Sequence, residues 1–385
     1  MWALISILVL GVAIAFIGDD VSDPPAEPED DTPTPDDSEG QGDLLDPDVV
    51  ERPREPDEET PIEPSEPELE PAPETGQIVL TLNGNQAGTE GDDTVTLADD
   101  LEIAALQFDG AGGNDSIDLL DLSDPVDLSQ SHIVGGDGDD TISALGATMT
   151  LQGGSGDDVL SGNGPGAELD GGEGNDLITA TAYEWRAIDQ SNLDPYPTDV
   201  LELIGGDGND TLDARASTES STSGGDGDDL LMTRGSWYGR APVGSVVHDG
   251  GAGDDTLIAE VPFDYVWADA TGLVSLRGGE GADTFEVRID ANSSIELNSD
   301  RLTEPRSLGA PGPRIQDFDP AEDQLIVDLS AIDNGFTVSD LTVSDYNGNS
   351  TLSVSMVNGF DTRVISMQLE GVTGLSLDDI TVRTG

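Results

Sequence analysis

The chain has 385 residues, of which 81 are Asp or Glu and 13 are Arg, and it contains no Lys. Its formal net charge of -68 excludes nucleic acid and anionic membrane surfaces as electrostatic partners and leaves cations as the ligands that it can attract. Because it has no Cys and only two His, it lacks the residues for disulfides, thiolate metal sites or a His-rich zinc site.

The first 18 residues are predicted to form an apolar helix. Residues 2–17 are apolar except for one Ser and one Gly. As a helix they would span about 24 Å, slightly less than the ~30 Å hydrocarbon core of a bilayer. We therefore expect residues 1–18 to be a membrane anchor or a signal segment, although the basic residues that usually begin a signal peptide are missing. A buried core helix is the third alternative, but the acidic tract that follows offers it nothing to pack on.

Residues 19–76 are predicted to be a disordered, acidic, Pro-rich linker. Residues 18–76 contain 23 acidic residues, two Arg and 13 Pro, a net charge of -21. Such a composition cannot bury enough apolar surface to offset the entropy of ordering. Charge repulsion and the polyproline II preference extend it instead. The linker is either a spacer that lifts the rest of the chain from a surface or a plain disordered tail.

A motif of nine residues recurs nine times, without gaps, between Gly88 and Glu286. Positions 1 and 4 are Gly in all nine copies, position 6 is always Asp, and position 8 is always apolar. The first residues are Gly88, Gly110, Gly135, Gly153, Gly171, Gly205, Gly224, Gly250 and Gly278. The position-6 residues are Asp93, Asp115, Asp140, Asp158, Asp176, Asp210, Asp229, Asp255 and Asp283.

Each position of the motif has a physical role. Gly permits positive φ, so a six-residue loop can turn tightly with its carbonyl groups directed at one point. Asp adds a hard carboxylate oxygen, and oxygen ligands select calcium among the common cations. The residues after the Asp read polar-apolar-polar in most copies, which predicts a short strand with one inward side chain. Stacked Asp residues would repel one another unless a cation lay between them.

The spacing of the copies predicts the architecture. Successive copies start 22, 25, 18, 18, 34, 19, 26 and 28 residues apart, which indicates an 18-residue turn lengthened in places by insertions. A degenerate copy, residues 162–170, has Ala167 at position 6, so we expect only one loop of each turn to carry the Asp. The residue two before each copy is apolar in six of the nine, which predicts a second sheet with inward side chains.

These segments resemble the nonapeptide calcium repeats of the RTX (hemolysin-type) family, whose pattern is G-G-x-G-x-D-x-U-x with U apolar. The resemblance covers about residues 88–287 and implies a right-handed parallel β-roll over residues 77–290, with several calcium ions between stacked loops. It implies, as ligands, the nine position-6 Asp and the carbonyl groups of the loop Gly residues. We expect Thr89 and Ala111 at position 2, and Ala282 at position 5, to weaken individual sites. Acids at position 5 either contribute or only tune the charge.

Residues 291–385 are predicted to be a C-terminal β cap. The run RIQDFDPAEDQLIVDLS from Arg314 resembles the segment that closes RTX rolls in hemolysins and in serralysin-type proteins. Strand-like runs at 351–357 and 364–369 adjoin hairpin turns at 347–348 and 358–359. A cap is needed because an open roll exposes its core and its edges. The resemblance also implies a type I secretion signal in this region.

Three insertions, at 181–200, 234–247 and 260–275, interrupt the repeats and contain three of the four Trp. Aromatic residues and Arg on loops suggest a contact surface for a carbohydrate, matrix or protein ligand. The alternative interpretation is a small satellite core that folds back over the roll.

The sequence predicts a protein without enzymatic activity. The two His are too far apart for an HExxH site, and no G-x-S-x-G elbow is present. We expect a calcium-binding repeat protein, extracellular or at a bacterial cell surface, that folds on binding calcium. The alternative is an adhesin that binds carbohydrate or matrix through the aromatic insertions.

Overall fold

The computed structural model describes residues 76–80, 84–98, 105–120, 128–181, 200–215, 219–234, 246–262, 274–290, 306–332, 335–359 and 361–385. All of them belong to the compact unit Leu69–Gly385. Within these ranges the chain forms β-strands and one short 3-10 helix, Leu377–Asp379, which confirms the all-β prediction. No helix there has the length and apolar character needed to cross a membrane. The predicted N-terminal helix and acidic linker lie outside these ranges, apart from Gly76.

The described residues contain 25 strands. The first thirteen are β1 (Gly76–Leu80), β2 (Gly84–Ala87), β3 (Asp93–Leu97), β4 (Leu106–Asp109), β5 (Ser116–Leu119), β6 (His132–Asp137), β7 (Thr141–Leu145), β8 (Thr150–Ser155), β9 (Val159–Asn163), β10 (Glu168–Glu173), β11 (Leu177–Thr181), β12 (Leu201–Asp207) and β13 (Thr211–Arg215). The remainder are β14 (Ser220–Asp226), β15 (Leu230–Arg234), β16 (Val246–Ala252), β17 (Thr256–Pro262), β18 (Val274–Glu280), β19 (Thr284–Asp290), β20 (Arg306–Ile315), β21 (Gln324–Asp328), β22 (Thr337–Tyr346), β23 (Asn349–Asn358), β24 (Asp361–Leu369) and β25 (Ile380–Arg383).

Successive strands alternate between two sheets. The odd sheet has 12 strands, from β1 through every odd-numbered strand to β21 and then β25. The even sheet has 13 strands, from β2 through every even-numbered strand to β20 and then β24, β23 and β22. Pairing is parallel except where β23 joins β22 and β24. Each 18-residue turn thus contributes one strand to each sheet, as expected of a β-roll; its right-handedness stays a prediction.

The core lies between the two sheets and receives side chains from both. The position-8 side chains point inward from the odd sheet, as the polar-apolar-polar pattern predicts, and six apolar residues point inward from the even sheet. None of these side chains is more than 2% exposed. They are Val95, Ile117, Ile142, Leu160, Ile178, Leu212, Leu231, Leu257 and Phe285 in the odd sheet, and Phe108, Ile133, Leu151, Leu169, Leu203 and Leu276 in the even sheet.

Two polar residues at inward positions of the even sheet form a hydrogen bond with each other. Thr222 and His248 are paired across β14 and β16, and both are buried. The Nδ1 of His248 bonds to the hydroxyl of Thr222, and its Nε2 bonds to the hydroxyl of Thr233 in the odd sheet. Burial lowers the pKa of His248 to about 4, so this His is neutral at pH 7 and joins the two sheets.

The C-terminal region continues the roll before it closes it. Strands β20 and β21 pair in parallel with β18 and β19, so the parallel ladders extend past residue 290. The hairpin strands β23 and β24 then lie where the sequence predicted them, with positive φ at Asn347, Gly348 and Gly359 in the turns. Strand β25 pairs with β21 and ends the odd sheet.

A pair of adjacent substitutions tests the core. Leu160 is fully buried, whereas its neighbour Val159 is 38% exposed on the outer face of the same strand. At a fixed, saturating calcium concentration, Leu160→Ala should lower the free energy of unfolding by about 2–5 kcal/mol, because it leaves a cavity. Val159→Ala should change it by less than about 0.5 kcal/mol. Denaturant unfolding measures both values, and equal effects would contradict the assigned faces.

Candidate metal centre

The motif loops line up along one edge of the roll. Each loop joins an even-numbered strand to the next odd-numbered strand; for example, the loop after β8 leads through Asp158 into β9. The position-6 Asp therefore stands just before or at the first residue of every odd strand from β3 to β19. All nine of these Asp residues are buried, at 1–2% exposure.

One carboxylate oxygen of each position-6 Asp, from Asp115 onward, binds the backbone of the preceding turn. The Oδ1 atom of Asp158 accepts the N–H of Asp140 at 2.7 Å, and the Oδ1 of Asp176 accepts the N–H of Asp158 at 2.7 Å. This ladder is continuous from Asp93 to Asp283, with distances between 2.7 and 3.0 Å. It also crosses the 34-residue interval from Asp176 to Asp210, so an insertion does not interrupt the stacking.

The second carboxylate oxygen, Oδ2, has no hydrogen-bond partner among the described residues in seven of the nine Asp, although it is buried. An unpaired carboxylate oxygen away from water is strongly unfavourable. A cation beside it would remove that penalty. We call these seven residues the open carboxylates; they are Asp115, Asp140, Asp158, Asp176, Asp210, Asp229 and Asp255.

A second oxygen lies beside each open carboxylate. A Cβ atom placed on Gly153 would collide with the Oδ2 of Asp158 and with the carbonyl oxygen of Gly171 in the next turn. The same two kinds of oxygen surround the position-1 Gly of every copy from Gly88 to Gly250. Carboxylate and carbonyl oxygens thus converge on the space that the missing side chain leaves free.

The structure separates two roles for Gly that the sequence interpretation had combined. Positive φ occurs at positions 2 and 4, as at Gly154 (124°) and Gly156 (135°). The position-1 Gly does not have positive φ; it is required because a side chain there would fill the space between the two oxygens. The presence of Gly at position 1 in all nine copies therefore follows from the site itself.

The donor set fits calcium. Calcium accepts carboxylate and backbone carbonyl oxygens in flexible geometry, whereas magnesium needs a stricter octahedron and retains more of its water. Within the described ranges, no three His, Asp or Glu side chains converge on one point. The oxygens that do converge are one carboxylate and one carbonyl in each copy from Gly88 to Gly250.

Burial raises the pKa of every open carboxylate. The pKa of Asp158 and of Asp255 rises to about 7, and that of the other five rises to about 6. Desolvation of the buried carboxylate is the main cause of the higher pKa. The hydrogen bond from the N–H of the preceding turn lowers the pKa, and neighbouring negative charges raise it. Without a cation, the ionised form of the open carboxylates is therefore disfavoured.

Position 5 forms a second ladder, which the sequence interpretation missed. The Oδ1 of Asp139 accepts the N–H of Asp157 at 3.0 Å, and the Oδ1 of Asp157 accepts the N–H of Asn175 at 2.8 Å. The ladder continues in this direction from Asp92 to Ala282. The sequence pattern that could have revealed this ladder is the presence of Asp or Asn at position 5 in eight of the nine copies. Both side chains have an oxygen that accepts a hydrogen bond, whereas only Asp carries a charge. Ala282 stands at its last rung and acts only as a donor.

The turns at the opposite edge have apolar residues or Ser where the motif has Asp. Ala167 and Met149 are fully buried before β10 and β8. Leu201, Ser220, Val246 and Val274 stand in register at the starts of the next four even strands. The expectation that only one loop of each turn carries the Asp is confirmed for these turns.

A tenth Asp completes the ladder; the sequence interpretation placed it in the segment that closes the roll but not in the ladder. The Oδ1 of Asp323 accepts the N–H of Asp283 at 2.9 Å. Asp317, in the same loop, accepts the N–H groups of Gly278 and Gly279 at 3.0 and 3.1 Å. The loop lacks the motif's Gly residues, but the polar-apolar pair Gln324-Leu325 after Asp323 has the same pattern as the two residues after the Asp in most motif copies.

The aromatic insertions at 181–200, 234–247 and 260–275 lie outside the described residues except at their ends. A ligand surface there stays a prediction.

Comparison with protein-family models supports the assignment of the repeat. A family model, the RTX calcium-binding nonapeptide repeat (4 copies), matches residues 131–147, 150–164, 168–182, 202–218 and 249–270. No curated protein matches the chain. One similar solved structure is the solution structure of the AlgE6R2 subunit from the Azotobacter vinelandii mannuronan C5-epimerase, with 26% identity over 48% of this chain and 93% of that chain and a TM-score of 0.19.

The matched segments contain the loops of Asp140, Asp158, Asp176, Asp210 and Asp255. The predicted resemblance to the RTX repeat, a calcium-binding repeat, is thereby confirmed over these segments. The serralysin-like character of the C-terminal region stays a prediction.

The raised pKa values predict how the calcium-free roll responds to pH. Below about pH 4 the open carboxylates carry protons in folded and unfolded chains alike. As the pH rises toward 6–7 the unfolded chain loses these protons first, because its pKa values are near 3.8. The seven open carboxylates therefore lose their contribution to stability over this interval. His248 acts in the opposite direction, because its pKa is about 4 in the folded chain and 6.5 in the unfolded chain, but it is one group against seven.

In calcium-free buffer, the β-sheet signal in circular dichroism should be larger at about pH 5, where the buried carboxylates are protonated, than at about pH 7.5, where the chain should be largely unfolded. With calcium the order of stability should reverse, because the ion competes with protons for the same oxygens. A calcium-free β-sheet signal that is equal or larger at about pH 7.5 would contradict the buried state of these carboxylates.

Proposed function

We propose that this chain is a non-enzymatic RTX repeat protein that binds calcium along one edge of its roll and folds on binding it. The observation that carries the proposal is the row of seven open carboxylates, each with a buried oxygen that lacks a hydrogen bond and faces a backbone carbonyl. A divalent cation supplies positive charge at that point, and the family-model match identifies the repeat as a calcium-binding one.

Coupling between binding and folding follows from the two uses of each carboxylate. Oδ1 of an open carboxylate is fixed by the N–H of the preceding turn, so Oδ2 reaches its place only when neighbouring turns are stacked. The site therefore does not exist in the unfolded chain, and the binding free energy contributes to folding. Because each turn contacts mainly its neighbours, occupancy of one site promotes the next.

Location at a cell surface or in the extracellular medium is part of the proposal. Extracellular calcium modules bind at about 10⁻⁴ to 10⁻³ M, a range that keeps them empty inside cells. Residues 77–385 carry 58 acidic residues against 11 Arg, so that charge repulsion opposes folding until calcium is present. Residues 2–17 would anchor the chain or direct its export, residues 19–76 would act as a spacer, and the C-terminal region is the proposed place of a type I secretion signal.

Circular dichroism of the full chain during a calcium titration tests this function. We expect a cooperative gain of β-sheet signal with calcium and little gain at equal concentrations of magnesium. A chain whose β-sheet signal is already complete in EDTA at about pH 7.5 would overturn calcium-coupled folding. An equal response to magnesium would overturn the choice of calcium.

Adjacent residues of one loop provide a matched pair of variants. Asp158→Asn removes an open carboxylate, whereas Asp157→Asn makes the same charge change at position 5, where Asn occurs naturally in Asn175. Asp158→Asn should raise the calcium concentration at the folding midpoint several-fold and remove one bound ion. Asp157→Asn should change stability by less than about 0.5 kcal/mol. Equal effects of the two variants would mean that net charge, and not the site, controls folding.

A further inference from the structure

The first motif copy differs from the seven that come after it. In this copy the Oδ2 of Asp93 is not open, because it accepts the backbone N–H of Thr89 at 2.7 Å. The hydroxyl of Thr89 lies 3.2 Å from the Oδ1 of the same carboxylate and 3.2 Å from the carbonyl oxygen of Gly91, and its one proton is shared between these two acceptors. Thr89 stands at position 2, where most copies have Gly with positive φ. The protein itself thus supplies hydrogen-bond donors to both oxygens of this carboxylate.

Replacement of the position-2 Gly does not by itself cause this difference. The second copy also lacks that Gly and has Ala111, with φ of 78°. The N–H of Ala111 donates to Asp109 at 3.1 Å, away from Asp115. The Oδ2 of Asp115 consequently stays open. The direction of the N–H at position 2 is therefore the feature that distinguishes the first copy.

The last turn of the ladder is also closed by the protein. The Oδ2 of Asp323 accepts the N–H of Asp319 at 2.7 Å, and Asp317 uses its two oxygens for the N–H groups of Gly278 and Gly279. Beside Gly278, the three atoms nearest to an added Cβ all belong to Asp283, whereas the earlier copies place a carbonyl of the next turn there. No carbonyl oxygen of the described residues lies within 2.9 Å of this Cβ position, so the close pairing of carboxylate and carbonyl oxygens in the earlier copies is absent at Gly278.

We propose that the ladder holds seven calcium ions, one at each open carboxylate, and that Thr89 and the loop of Asp317 and Asp323 close its two ends with hydrogen bonds. This inference rests on the calcium binding proposed above. An N–H at Oδ2 occupies the place from which a cation would be bound, and it satisfies the oxygen that elsewhere requires one. The first and last carboxylates of the ladder, Asp93 and Asp323, thereby each have an Oδ2 that accepts a backbone N–H of the protein.

The first copy can be converted into a site by one substitution. Beside Gly88 the Oδ2 of Asp93 and the carbonyl of Gly110 already converge, as in the later copies. Thr89→Gly removes the hydroxyl and permits the positive φ that position 2 adopts elsewhere. It should therefore add one ion. Ala111→Gly is the matched control, because Asp115 is already open.

Equilibrium dialysis of the full chain against calcium, with excess magnesium to suppress weak surface binding, gives the number of ions per chain. We expect seven for the unmodified chain and for Ala111→Gly, and eight for Thr89→Gly. Asp255→Asn, with an expected six, calibrates the count.

Eight or nine ions in the unmodified chain, or an unchanged count in Thr89→Gly, would overturn the inference while leaving calcium binding intact. No calcium bound above the magnesium background would instead overturn the proposed function. If Thr89→Gly does not fold in calcium, Thr89→Ala, for which Ala111 is the native precedent, replaces it with the same expected gain of one ion.

Discussion

A buried carboxylate recurs in every motif-bearing turn of this roll, and it constrains everything around it. An Asp side chain at 1–2% exposure must find partners for both oxygens. One oxygen is satisfied by the N–H of the preceding turn, which fixes the stacking register of the turns. In seven of these turns the other oxygen has no hydrogen-bond partner among the described residues, and in the proposed function a calcium ion lies beside it. The stacking register and the proposed calcium dependence therefore arise from the same side chain.

The thin core explains why this constraint dominates. Each turn contributes to the interior little more than one large side chain from each sheet, such as Leu160 and Leu151. Burial of that area is modest beside the ordering entropy of an 18-residue turn that is rich in Gly. The edges must therefore supply the remaining stabilisation. The apolar turns at Met149 and Ala167 do so on one edge, and the carboxylate ladder with its proposed ions does so on the other.

The sequence predicted the structural features that depend on the period of the repeat. The two sheets, the inward position-8 side chains and the nine aligned Asp follow from repeated spacing, and the structure has all of them. It did not predict features in which one residue acts through the backbone of another. Asp323 was assigned to the closing segment and not to the ladder because its loop has no Gly. Thr89 looked like a weakened copy because the direction of its N–H is not visible in a residue pattern. The Gly at position 1 was attributed to turn conformation, because only the stacked structure brings Asp158 Oδ2 beside Gly153.

The placement of the two kinds of loop has an evolutionary consequence. Each motif loop leads from an even strand to an odd strand, whereas the long intervals all fall between an odd strand and the next even one, as in the stretch from β11 to β12. Asp176 and Asp210 remain bonded across that interval. Sequence can therefore be gained or lost at one edge without any change of register at the other. A chain built in this way can diversify the sequence of its long intervals while its carboxylate ladder stays unchanged.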